Sequence, residues 1–110
     1  MTRVVSVALR VHDLEAMRAF YRDVFGADLR PVQVGPLGCW FGPCAGLLLK
    51  LVPLRDAPDP TGYPLHQLGV EVGDPAATVA RALACGGQAE GPLCVRDPDG
   101  NTVELVACKA

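Results

Sequence analysis

An internal repeat constrains the fold of this chain more than any other sequence feature. Residues 6–13 have a counterpart in residues 67–74, which lie 61 positions later, and each copy is an alternating strand that ends at an aspartate. Residues 49–52 match residues 103–106 in the same way. Two copies of one supersecondary unit predict a pseudo-twofold fold with a pocket between its halves.

The apolar periodicity predicts the element order βαβββ in both copies. Asp13 and Asp74 are the expected N-caps of the two helices, and Gly26 is the expected left-handed residue after the first helix. The predicted strands span residues 4–11, 28–34, 37–42, 46–53, 66–72, 88–90, 93–96 and 101–107. The sequence therefore predicts an α+β fold, with two tandem βαβββ modules forming a cupped mixed sheet with pseudo-twofold symmetry.

A single domain of 110 residues is expected, because the chain is too short for two independent cores. Its first module is predicted to span residues 1–53 and its second residues 65–110, joined by a proline-rich linker at residues 54–64. Turns are predicted at Gly35-Pro36, at Gly42-Pro43 and at residues 97–101. The buried face of the second helix is expected to consist of Val79, Leu83 and alanines.

Composition excludes several classes of partner. The net charge of −2 and the lack of a basic run argue against nucleic acid. The apolar stretches are too short to span a bilayer, and no signal-peptide pattern follows Met1, so a cytoplasmic location is expected. Five cysteines without metal-ligand spacing are predicted to be reduced thiols.

Three segments carry motifs: Val-Ala-Leu-Arg-Val-x-Asp-Leu at 7–14, Phe-Tyr-Arg-Asp-Val-Phe-Gly at 20–26 and Arg-Asp-Pro-Asp-Gly-Asn-x-Val-Glu-Leu at 96–105. In these motifs the chain resembles the vicinal oxygen chelate superfamily, which includes glyoxalase I, bleomycin-resistance proteins, fosfomycin-resistance enzymes, methylmalonyl-CoA epimerase and extradiol dioxygenases. The resemblance covers nearly the whole chain. It implies a ligand pocket in the cup and a homodimer, with each cup formed either within one chain or across two.

The resemblance also implies where a metal would bind. Metal-using relatives place a ligand on the first and last strand of each module, and the matching residues here are Ser6, Lys50, Gln67 and Glu104. Glu104 fits, Gln67 and Ser6 are weaker ligands, and the Lys50 ammonium has no lone pair. We therefore expect no metal cofactor and hypothesise that Lys50 and Glu104 form an ion pair in its place. A register shift of one residue in this strand would instead direct Leu49 or Leu51 inward.

His66 keeps the metal alternative open. Strand alternation places His66 and Gln67 on opposite faces, which favours an exposed or core histidine. A bulge would instead join His66 to Gln67 and Glu104 as ligands for Ni, Zn, Mn or Fe. The other histidine, His12, is expected on the solvated surface.

Three more residues are candidates for the pocket. Arg10 is expected on the same face as Ser6, where it would bind an anionic group or pair with Glu71. Trp40 would either stack on a planar ligand or belong to the core. Tyr63 is a weaker candidate for a lid. The predicted ligand-binding residues are thus Ser6, Arg10, Trp40, Lys50, Gln67 and Glu104.

Two functions follow from these residues. The favoured one is a metal-free protein that binds a small anionic or planar molecule. The alternative is a metal-dependent lyase, isomerase, thiol transferase or dioxygenase with an unusual ligand set, and no catalytic residue is assigned. A buried lysine acting as a base would also permit metal-free catalysis. A vestigial paralogue would have a pocket filled by side chains.

Overall fold

The computed structural model describes residues 2–54 and 66–108, and it contains the predicted βαβββ unit twice. The first unit consists of β1 (Ser6–Val11), α1 (Leu14–Phe25), β2 (Arg30–Val34), β3 (Leu37–Cys44) and β4 (Leu47–Pro53). The second consists of β5 (Gln67–Val72), α2 (Pro75–Ala84), β6 (Gln88–Ala89), β7 (Cys94–Arg96) and β8 (Thr102–Ala107). The predicted α+β class is confirmed. Most of the predicted linker, residues 55–64 with Tyr63, lies outside the described residues.

Each unit forms its own four-stranded mixed sheet. The strand order is β1-β4-β3-β2 in the first sheet and β5-β8-β7-β6 in the second. The pairs β1–β4 and β5–β8 are parallel, and the other pairs are antiparallel. The same topology in both units is the structural form of the sequence repeat.

Both helices begin at the aspartates that the sequence predicts. The Asp13 carboxylate accepts a hydrogen bond from the Ala16 N–H at 3.0 Å, and Asp74 accepts one from the Ala77 N–H at 3.1 Å. Gly26 ends α1 in the left-handed conformation with φ of 71°. Within the described part of the chain, no helix combines the length and apolar character needed to cross a membrane.

One core joins the two modules. Alternate residues of β1 and β4 are buried on the side of the first sheet that α1 covers, and Val95, Val103 and Leu105 of the second sheet belong to the same apolar cluster. The opposite side of each sheet is more exposed. We name as the first open face Ser6, Ala8, Arg10, Lys50 and Val52, and as the second open face Gln67, Gly69, Glu71, Glu104 and Val106.

The prediction of a turn at Gly42-Pro43 is wrong. Both residues lie inside β3, and the chain turns at Ala45 and Gly46, which have φ of 51° and 90°. A side chain at position 42 would collide with the carbonyl oxygen of Asp28. Glycine at this position therefore permits the close approach of two backbone segments.

The predicted buried face of α2 also needs correction. Thr78 and Ala82 are buried, Val79 packs against the core, and Leu83 is 53 % exposed. The contact between α2 and the sheet is centred on the line from Thr78 to Ala82, which turns Leu83 outward. The five cysteines carry free thiols.

Candidate functional site

A cavity of about 590 Å³ lies on the first open face. Among the described residues that line it, Arg10, Lys50 and His66 have basic side chains. The other described lining residues are small or apolar: Ala8, Val34, Cys39, Val52 and Leu54. The cavity therefore combines nitrogen donors with an apolar wall.

Strand register explains why Arg10 and Lys50 share this face. In the parallel pair β1–β4, Ala8 lies opposite Lys50 and Arg10 lies opposite Val52. Because Leu49 and Leu51 are buried in the core, alternation directs Lys50 to the other side of the sheet. Leu49 and Leu51 therefore do not face the cavity, as one of them would if the strand register were shifted by one residue.

Phe41 is the aromatic residue that accompanies Lys50. It pairs with Lys50 across β3 and β4, and the Lys50 Nζ lies 5.7 Å from the centroid of its ring. This cation–π contact holds the ammonium over the aromatic face. Phe41 is not among the predicted site residues, although strand alternation directs its ring and that of the adjacent Trp40 to opposite faces.

Trp40 lies with the core and away from the cavity. It pairs with the buried Leu51, packs against the core, and its ring centroid is 4.7 Å from the Arg18 guanidinium carbon of α1. The structure therefore agrees with the core interpretation of Trp40.

The four residues at the matched metal positions are divided between the two sheets. Ser6 and Lys50 lie on the first open face, while Gln67 and Glu104 lie on the second. Ser6 is exposed and does not belong to the described lining of the cavity. Glu104 lines a different cavity of about 480 Å³ together with Glu90, Cys94 and Val106.

Neither the hypothesised Lys50–Glu104 pair nor the Arg10–Glu71 pair, which was one of two alternatives for Arg10, is formed within the described residues. The pairs found in residues 2–54 and 66–108 are Arg18–Glu15, Arg22–Asp23, Arg30–Asp28 and Arg96–Glu90. Lys50 and Glu104 therefore do not neutralise each other within one chain, and the same is true of Arg10 and Glu71.

His66 reaches the cavity from the second module. It is half-buried and lies one residue before β5, where its N–H donates to Asn101 Oδ1 at 2.8 Å. Its carbonyl oxygen accepts from the Thr102 N–H at 3.1 Å. The expectation of an exposed or core histidine is thus wrong, because strand alternation does not determine the direction of a residue outside the strand.

The side chains at the cavity do not fit a divalent metal. Lys50 and Arg10 offer positive charge and no lone pair to a cation. Among residues 2–54 and 66–108 there is also no group of three or more His, Cys, Asp or Glu side chains that could hold a metal ion. The set His66, Gln67 and Glu104 is not assembled, since His66 faces the first sheet and Glu104 lies on the second.

A buried polar network adjoins His66. The Tyr21 hydroxyl donates to Asp97 Oδ2 at 2.8 Å, and Asn101 Nδ2 donates to the same carboxylate oxygen at 3.0 Å. Burial raises the pKa of Asp97, while the hydrogen bonds from Asn101 and Tyr21 lower it. Burial, followed by the nearby Asp97 charge, also raises the pKa of Tyr21. The sequence predicts a turn at residues 97–101 and a motif at 96–105, but it does not predict that Tyr21 and Asp97 meet.

Comparison with known families identifies the lineage. The sequence model of the glyoxalase/bleomycin resistance protein/dioxygenase superfamily matches residues 3–105. The chain belongs to this superfamily. A comparison with curated protein sequences found no match.

Solved structures of the superfamily show the same fold. A glyoxalase-related enzyme from Fulvimarina pelagi is 25% identical, with a TM-score of 0.71 over 98% of this chain and 89% of that one. Lactoylglutathione lyase from Agrobacterium tumefaciens is 27% identical, with a TM-score of 0.65 over 97% and 94%. The fosfomycin resistance protein FosX from Listeria monocytogenes is 17% identical, with a TM-score of 0.76 over 99% and 93%.

Proposed function

We propose that this superfamily member binds a small anionic molecule in the cavity of the first open face, without a metal cofactor. The observation that carries the proposal is the convergence of Arg10, Lys50 and His66 on one cavity. A cavity of about 590 Å³ is large enough for a small organic ligand. This unfilled space also supports a ligand-binding role over a vestigial one.

Each basic residue suits an anion in a different way. The Arg10 guanidinium offers planar, paired donors for a carboxylate or phosphate. Lys50 offers a point charge, and the His66 imidazole offers a ring N–H as a hydrogen-bond donor. Ala8, Val34 and Val52 provide the apolar wall for the rest of the ligand. We therefore propose an organic anion with an apolar body.

A second copy of the chain is the proposed protein partner. The first open face carries Arg10 and Lys50, whereas the second carries Glu71 and Glu104, so the two faces are complementary in charge. In a homodimer with the first face of each copy against the second face of the other, Glu104 of the second copy would pair with Lys50. Arg10 and His66 would then remain to bind the ligand. The proposal includes a cytoplasmic location.

A metal-dependent enzyme is the competing function. It is favoured by the 27% identity to lactoylglutathione lyase and by the manganese(II) bound in a structure of FosX from Listeria monocytogenes. This alternative requires His66, Gln67 and Glu104 to meet across two chains as ligands. It would give a lyase, isomerase, thiol transferase or dioxygenase.

Calorimetric titration separates the two functions. We would titrate inorganic phosphate, a panel of aromatic and aliphatic carboxylates, and Ni²⁺, Zn²⁺, Mn²⁺ and Fe²⁺ into chelator-treated protein. We expect saturable binding of an anion that is lost in Arg10→Gln and retained in Arg81→Gln, which removes an exposed charge from α2. Tight stoichiometric metal that disappears in Glu104→Gln would establish the competing function. Binding of neither anion nor metal would refute both.

A further inference from the structure

His66 is held at the cavity by its backbone. Its N–H donates to Asn101 Oδ1 at 2.8 Å, and its carbonyl oxygen accepts from the Thr102 N–H at 3.1 Å. Thr102 is the first residue of β8, and Asn101 is the residue before it. The direction of the imidazole therefore depends on where Asn101 and Thr102 lie.

Asn101 is itself fixed by a buried carboxylate. Its backbone N–H donates to Asp97 Oδ1 at 2.9 Å, and its Nδ2 donates to Asp97 Oδ2 at 3.0 Å. Asp97 and Asn101 are each 3 % exposed. With both Nδ2 and Oδ1 in use, the Asn101 amide has one orientation that satisfies its partners.

The carboxylate is anchored in turn to the first module. Asp97 Oδ2 accepts the Tyr21 hydroxyl of α1 at 2.8 Å, and Tyr21 is 1 % exposed. A continuous series of hydrogen bonds therefore runs from α1 through Asp97 and Asn101 to the backbone of His66. Buried networks of this kind fix a geometry more strictly than apolar packing does.

We propose that Asn101, held by Asp97 and Tyr21, is a positioning residue that directs His66 into the anion cavity. The inference rests on the proposed function, because it assigns His66 a ligand. Asn101 does not belong to the described lining of the cavity and acts through His66. Without its side chain, the backbone N–H of His66 loses its acceptor and the imidazole loses its fixed direction.

NMR of the two imidazoles tests the proposal, since the chain contains two histidines and His12 serves as an internal reference. Inorganic phosphate is the probe. We expect phosphate to shift the His66 imidazole resonances in the wild-type chain. In Asn101→Ala we expect phosphate affinity to fall by at least about tenfold, with loss of the His66 response.

Asp99→Ala is the matched control in the same turn. Asp99 accepts the His12 N–H at 2.7 Å and the Asp13 N–H at 3.4 Å, so this substitution also cuts hydrogen bonds between the turn and the first module. It leaves Asn101 and His66 in place, and we expect wild-type phosphate affinity. Equal affinity in Asn101→Ala and wild type would overturn the positioning role while the proposed function stands.

Amide hydrogen exchange of the wild-type chain provides a test that needs no substitution and no ligand. The His66 N–H is expected to exchange slowly, because it is bonded to an almost fully buried side chain. Exchange at the rate of an unprotected amide would overturn the positioning role even if Asn101→Ala did not fold. Slow exchange in a chain that binds none of the anions in the calorimetric titration would refute the proposed function and leave the backbone of His66 held as described.

Discussion

The Tyr21 hydroxyl donates a 2.8 Å hydrogen bond to Asp97, and both residues are almost fully buried. A buried carboxylate needs several donors, because each lost hydrogen bond leaves an unsatisfied group away from water. Asp97 also accepts from the backbone N–H groups of Asp99 and Asn101. At the scale of single residues, this cluster is where small changes have large effects.

Replacing Tyr21 with phenylalanine is expected to destabilise the fold. A hydrogen bond to a charged group contributes about 1.5–3 kcal/mol, and the phenyl ring keeps the apolar packing of the tyrosine. We expect Tyr21→Phe to lower the free energy of unfolding by about this amount at neutral pH, measured by urea denaturation. Thr78→Val is the control, since the equally buried Thr78 hydroxyl donates to the neutral Asp74 carbonyl. An equal or larger loss in the control would contradict the prediction.

The same substitution is expected to show a pH dependence. Burial raises the pKa of Asp97 above its ordinary value of 3.8. The contribution of this carboxyl group to the free energy of unfolding is therefore fully present below pH 3.8 and is lost as the pH rises through the raised pKa. The Tyr21 hydrogen bond lowers this pKa, and Tyr21→Phe therefore raises it further. The stability difference between wild type and Tyr21→Phe should shrink as the pH falls through this titration. A difference that stays constant in acid would contradict the assignment.

Gly42 shows how a strand depends on the space beside it. Gly38 and Gly42 both lie in β3, but a Cβ at position 42 would meet the Asp28 carbonyl, whereas one at position 38 would approach only Gln33 Oε1, at 3.9 Å. The Asp28 N–H donates to the Pro43 carbonyl at 3.0 Å, which keeps the two segments together. At the scale of elements, this contact fixes the entry of the chain into β2.

Alanine at these two positions should therefore have opposite effects. We expect Gly42→Ala to lower the free energy of unfolding by about 1–3 kcal/mol, because the backbone has to move. Gly38→Ala should leave stability unchanged or raise it by up to about 1 kcal/mol, because alanine reduces the entropy of the unfolded chain. Thermal unfolding of both variants checks the pair. Equal stability of the two would show that the Asp28 contact imposes no constraint.

Opposite charge on the two open faces is a property of the whole molecule. Arg10 and Lys50 belong to the first sheet, and Glu71 and Glu104 belong to the second. Val34 on the first sheet is 42 % exposed and Val106 on the second is 53 % exposed, so both sheets also present apolar surface. A second copy placed by a twofold axis would cover both faces at once.

Charge reversal on one face should weaken the proposed dimer. We expect Glu104→Lys to raise the dimer dissociation constant by at least about tenfold in sedimentation equilibrium, because like charges then meet across the interface. Combining it with Lys50→Glu should restore association. Glu15→Lys is the control, since it makes the same charge change on α1 at a side chain that is 68% exposed. A monomeric wild type, or equal effects of Glu104→Lys and the control, would refute this dimer.

The sequence by itself determined whatever depends on neighbouring residues. The Asp13 cap and the Gly26 terminus follow from the residue types beside the apolar periodicity of α1, and the repeat of such signals predicted both modules. The motifs of residues 7–14, 20–26 and 96–105 predicted the superfamily.

Only the tertiary structure decided which distant residues meet. The register of β3 pairs Trp40 with Leu51 of the core, and the close approach of the Asp28 backbone requires glycine at position 42. The backbone of His66 is bonded to Asn101, which lies 35 positions away in the sequence. These contacts depend on how strands and modules pack, and no local pattern encodes that packing. For the same reason the cavity that unites Arg10, Lys50 and His66 could not be derived from the order of the residues alone.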